Sequence, residues 1–146
     1  MNKLLLVSLA GLVVTSPVQA KGLKWMDSTA VGLPAGAKLA VVSGDPSKEG
    51  MFVVRAQFPA NYTVPPHHHP TDETVSVKSG GPLSYGMGDK QDASNAGSLE
   101  KGYHVTMQAP MNHWVSTSAP TEVEVKAMGP FQITYVNPQD DPRTSK

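Results

Sequence analysis

The residues best suited to chemistry fall in one short run, Pro65-Pro66-His67-His68-His69-Pro70-Thr71-Asp72-Glu73. His67 and His69 stand two apart, so an extended chain points both imidazoles to one face and turns His68 to the other. Glu73 follows four residues after His69, past Pro70, where the chain can turn or enter a new strand. Asp72 competes for the carboxylate role, and the spacing favours Glu73. Two imidazoles and a carboxylate converging from one segment suit a divalent first-row metal, which needs a further ligand from elsewhere. His113 is the best candidate, because it lies just beyond a bend containing Pro110. The fifth histidine, His104, sits in an alternating stretch and reads as structural. Met87, Met107, Met111 and Met128 could act as soft copper ligands, but scattered methionines more often fill gaps in a core.

The elements that must carry these groups read as strands. Phe52, Val54, Ala56 and Phe58 share one face of an extended segment, and Met51, Val53, Arg55 and Gln57 share the other. The same period of two recurs at Val75 and Val77, at Tyr103, Val105 and Met107, at Val123 and Val125, and at Phe131, Ile133 and Tyr135. Leu39 to Val42 is a further short strand. Such alternation is the mark of half-buried strands. The 13 glycines and 13 prolines punctuate them, at Gly44-Asp45-Pro46, Pro65-Pro66, Gly80-Gly81-Pro82, Gly86 to Gly88 and Gly129-Pro130. No stretch after the first twenty residues reads as a helix. Short strands with turn signals between them predict an all-β antiparallel sandwich or barrel. Trp114 and Tyr103 are expected to pack in that barrel rather than touch a ligand.

With the spacings in view, the chain resembles the cupin superfamily, in particular its small secreted single-domain members. The first cupin motif, G-x5-H-x-H-x3,4-E-x6-G, matches from Asn61 through His67, His69 and Glu73 to Gly80. The second, G-x5-P-x-G-x2-H-x3-N, matches from Gly102 through His113 to Thr117. All four ligand positions agree in type and spacing. Four framework positions differ: Asn61, Gln108, Pro110 and Thr117. Asn61 is a mild change, since asparagine tolerates the left-handed backbone that glycine supplies. The resemblance implies a small antiparallel jelly-roll β-barrel holding a metal near its mouth. It implies His67, His69, Glu73 and His113 as ligands, and it also allows a homodimer. Iron, manganese, nickel, copper and zinc all suit three imidazoles and a carboxylate.

Composition bounds the rest. The chain has 146 residues with 12 basic and 12 acidic side chains, so it lacks the basic excess that nucleic-acid binders carry. It has no cysteine, which excludes disulfides, thiolate nucleophiles and Cys-ligated zinc. Met1 to Ala20 reads as a secretory signal, with Lys3 as its charged start, Leu4 to Val14 as its apolar stretch, and Val18 and Ala20 at the small-residue positions. Residues 21–146 are then expected to form a single cupin domain with an irregular N-terminal arm and a C-terminal tail. The expected location is periplasmic or secreted, without a membrane anchor once the signal is cleaved. The expected activity is a metal-dependent dioxygenase or other oxidoreductase acting on a small enol, diketone or phenolic compound, with Glu73 able to serve as a base. The alternatives are a non-catalytic periplasmic module that binds a small molecule or metal, and a sugar isomerase.

Overall fold

A computed structural model describes residues 22–144. The signal-like segment Met1 to Ala20 lies outside the described residues. The strands are β1 (Met26–Asp27), β2 (Lys38–Ser43), β3 (Gly50–Phe58), β4 (Thr63–His68), β5 (Glu73–Gly80), β6 (Leu83–Met87), β7 (Gly97–Leu99), β8 (His104–Met107), β9 (His113–Thr117), β10 (Thr121–Gly129) and β11 (Thr134–Tyr135). Three short 3-10 turns accompany them, at Ser28–Val31, Ala93–Asn95 and Pro138–Asp140. There is no α-helix among the described residues.

The strands form two antiparallel sheets, one of six in the order β1-β2-β3-β10-β5-β8 and one of five in the order β11-β4-β9-β6-β7. From β3 to β6 the chain changes sheet at every strand, and it does so again from β7 to β11. This is a jelly-roll β-barrel, the fold class expected from the sequence. The face read as apolar turns inward: Phe52, Ala56 and Phe58 of β3 are buried, as are Val75 and Val77 of β5 and Val123 of β10. Leu83, Leu99, Val64 and Val115 meet them from the five-stranded sheet.

Outside the barrel, Arg55 on β3 reaches two carboxylates of β10. Its Nε donates to Glu124 at 2.8 Å and its Nη1 to Glu122 at 2.8 Å. The pairing is cross-strand, because Glu124 stands directly opposite Arg55.

Several local expectations fail. The stretch read as a strand from Phe131 to Tyr135 is a strand only at Thr134–Tyr135. Pro65 and Pro66 do not separate strands; they lie inside β4. Neither proline has an N–H for a ladder, and the β4–β9 register shifts between Val64 and His67 to accommodate them. Gly86 is likewise inside β6 rather than in a turn. A side chain there would meet the Trp114 indole at 2.5 Å, so glycine is needed for that close approach.

Candidate metal centre

The barrel brings all four predicted residues together at one end. His67 on β4 stands directly opposite His113 on β9. His69 follows in the connection to β5, and Glu73 opens β5 in the other sheet. The site therefore straddles the two sheets. His67, His69, Glu73 and His113 are all buried, and their candidate ligand atoms lie within 4.8 Å of one another. An ion bonded at about 2.0–2.2 Å spaces its donors by roughly 3–4.4 Å, so modest side-chain movement closes the set.

The rings are aimed by backbone carbonyls. His67 Nδ1 lies 2.7 Å from Pro65 O, His69 Nδ1 lies 2.8 Å from Gln132 O, and His113 Nδ1 lies 3.1 Å from Met111 O. A carbonyl oxygen can only accept, so each Nδ1 carries the proton and donates. That fixes the tautomer and leaves Nε2 of each neutral ring as a lone pair for the interior. Sequence reading missed these carbonyl partners. Two of them are local, from residues two positions before the histidine, and no side-chain pattern encodes them. It also missed Phe131, whose ring stacks on His69 with centroids 4.4 Å apart.

The donor set asks for a cation. His113 Nε2 is 3.1 Å from Glu73 Oε1, and His69 Nε2 is 3.4 Å from Glu73 Oε2. A lone pair and a carboxylate oxygen repel at these distances unless a positive charge lies among them, either an added proton on imidazole or a metal ion. Electrostatics point the same way. Burial would raise the Glu73 carboxyl, but its hydrogen bonds with His113 and His69 outweigh that and hold it well below the usual range, so it is a carboxylate. Burial lowers His67 to about 3, with help from His113 and His69, so that ring is neutral at any ordinary pH. Burial would also lower His69, but its hydrogen bond to Glu73 and the carboxylate's charge raise it instead. Three imidazoles and one carboxylate could hold a divalent ion with positions to spare.

Next to this cluster lies a cavity of about 290 Å³ whose lining includes His67, His69 and Glu73. His113 is buried beside Glu73 without lining it. His68 and His104 are elsewhere, as expected. His68 turns outward, its Nδ1 3.0 Å from Asn112 Oδ1, and His104 is exposed opposite Ser76 on β5. Asp72 accepts from the Ala109 N–H at 2.8 Å and so braces the bend before His113.

No family model matches the sequence, and no curated protein matches it either. The solved structures do. An RmlC-like cupin from Shewanella frigidimarina superposes with a TM-score of 0.59 at 12% identity, over 75% of this chain and 86% of its own. The chain has the cupin fold. Other structures that share this cupin barrel include the polyketide cyclase RemF from Streptomyces resistomycificus, with a TM-score of 0.69 at 14% identity over 87% of this chain and 89% of its own. A protein described as a candidate acetylacetone dioxygenase, from Methylibium petroleiphilum, gives 0.63 at 17% identity over 92% and 90%.

The cupin framework positions that differ in this chain find local solutions. Asn61, in place of the first motif's glycine, is the one non-glycine residue with positive φ among the described residues, at 58°. Thr117, in place of the second motif's asparagine, donates to Pro59 O at 2.6 Å and accepts from the Tyr62 N–H at 3.2 Å. Of the two aromatics expected to pack, Trp114 is buried, but Tyr103 is 69% exposed. Tyr103 stands just before β8, outside the alternation that was extended to it.

Proposed function

We propose that this cupin is a metal-dependent oxidoreductase of the dioxygenase type, acting on a small enol, diketone or phenolic compound. The observation that carries the reading is the convergence of three carbonyl-anchored imidazoles and the Glu73 carboxylate at the wall of a cavity. His67, His69, Glu73 and His113 would hold the ion. When bound, a divalent first-row metal supplies Lewis acidity toward an oxygen ligand and, for iron, manganese or copper, access to dioxygen chemistry.

The chain's own residues do the rest. The apolar wall offers the reacting groups few competing hydrogen-bond partners. Glu73, lining the cavity, is placed to take a proton from a substrate's acidic C–H or O–H. Acetylacetone is a diketone, so the barrel shared with a candidate acetylacetone dioxygenase supports this substrate class. The signal-like Met1 to Ala20 supports the further reading that the mature protein works outside the cytoplasm.

Elemental analysis of the protein from its native compartment, paired with His113→Ala and with oxygen-uptake assays, tests the proposal. One equivalent of transition metal, reduced at least tenfold by His113→Ala, together with oxygen uptake on a 2,4-dione or a catechol, is the expected result. Metal content indifferent to His113 overturns the centre. Metal retained without uptake on any enol, diketone or phenol overturns the activity and leaves a binding module.

A further inference from the structure

The cavity beside the cluster has a pronounced asymmetry. Its polar groups, His67, His69 and Glu73, are the candidate ligands themselves. Apart from these and a rim loop, its wall is apolar, built by residues such as Leu39, Val54, Val75, Val123 and Val125. The rim loop contributes Asp45 and Ser47, which are exposed and satisfy each other: Asp45 Oδ1 accepts the Ser47 N–H at 3.0 Å and its hydroxyl at 2.6 Å. Val54 and Val125 face inward yet remain only partly buried, so the space in front of them is open to a ligand.

Resting on the proposed metal-dependent reading, we infer that the substrate carries one oxygen-bearing head and a wholly apolar body. The head faces the His67–His69–Glu73 wall and the body fills the space before Val54 and Val125. A second polar group seated against the apolar wall, such as a hydroxyl or carboxylate short of the exposed rim, would be stripped of water with no partner there, which is costly. Sugars and polyols are thereby rejected. A volume of about 290 Å³ lies at the lower end of small-molecule sites, so the ligand is small and not the size of a lipid. The N-terminal arm contributes Val31 and Leu33 to the cavity's lining.

The test is a calorimetric binding series on the wild-type protein as isolated, with 2,4-pentanedione, 2,4-hexanedione, 2,4-heptanedione and 2,4-octanedione. A matched probe carries a carboxylate at the far end of the chain, and glucose is the polyol. Each added methylene should tighten binding about fourfold until the cavity is full. The terminal carboxylate should weaken it at least a hundredfold, and glucose should not bind. Val125→Phe should stop the gain at a shorter chain while leaving metal content unchanged. Affinity that is flat along the series, or equal for the carboxylated probe, overturns the inference, and the wild-type series decides this even if the variant fails to fold. The series is read without turnover. A steep methylene dependence with no oxygen uptake would therefore remove the proposed activity and keep the apolar pocket, whereas turnover with a flat series would do the reverse.

Discussion

At the scale of single residues, the centre was legible because ligand chemistry leaves few choices. His67 and His69 at a spacing of two, and Glu73 four residues on, need only an extended chain and a turn to converge, and β4 and β5 supply them. The carbonyls that aim the rings were not legible, since every residue has one and only the folded path selects Pro65, Gln132 and Met111. Asn61 offers a sharp residue-level test of the framework. It is exposed and holds φ at 58°, a region that costs an ordinary L-residue about 1–2 kcal/mol and is worst for a β-branched one. Asn61→Val should lower the free energy of unfolding by about that amount in urea titration, and Asn61→Gly should leave it within about 0.5 kcal/mol. Equal stability of the two variants would mean that this backbone is not held there.

At the scale of elements, alternation found β2, β3, β5, β8, β10 and β11, but neither β1, β4, β6, β7 and β9 nor any register. The inward set Phe52, Val54, Ala56 and Phe58 is the one the sequence predicts, because a period of two can bury only one face. The prolines in β4 and Gly86 in β6 misled for the opposite reason. Each breaks a local rule in order to serve a long-range contact, and such contacts are invisible along the chain. Gly80 shows how tight these junctions are. It ends β5 with φ at 67°, and a Cβ there would meet the Pro120 carbonyl oxygen at 2.0 Å. Gly80→Ala should therefore cost about 3 kcal/mol, because main chain must move. Gly88→Ala, also at positive φ but with nothing within 4 Å, should cost only about 1 kcal/mol for the backbone. Chemical denaturation of both variants compares a blocked junction with an open one.

At the scale of the whole molecule, two phenols fasten the arm to the barrel. Tyr62 donates to Pro34 O at 2.5 Å, and Tyr135 donates to Gly32 O at 2.7 Å. Burial raises both phenols, Tyr62 to about 12, although its contact with Ser28 pulls the other way. An unfolded phenol ionises near 10, so between pH 10 and 12 the unfolded chain sheds protons that the folded chain keeps, and stability falls as pH rises. Unfolding measured from pH 8 to 11 should be flat to about pH 10 and weaken beyond it. Tyr62→Phe should lower stability by about 1 kcal/mol at pH 8 and reduce the alkaline slope. An unchanged slope in that variant would clear Tyr62 of the effect. The three carbonyl anchors carry a different consequence, one of assembly order. His67 and His113 are aimed by carbonyls two residues upstream, so their orientation is set by the chain next to each, within β4 for His67 and just before β9 for His113. His69 waits for Gln132, 63 residues further along the chain. The third imidazole comes into aim only when the segment leading into β11 has docked, so a complete donor set depends on a contact between segments far apart in the chain.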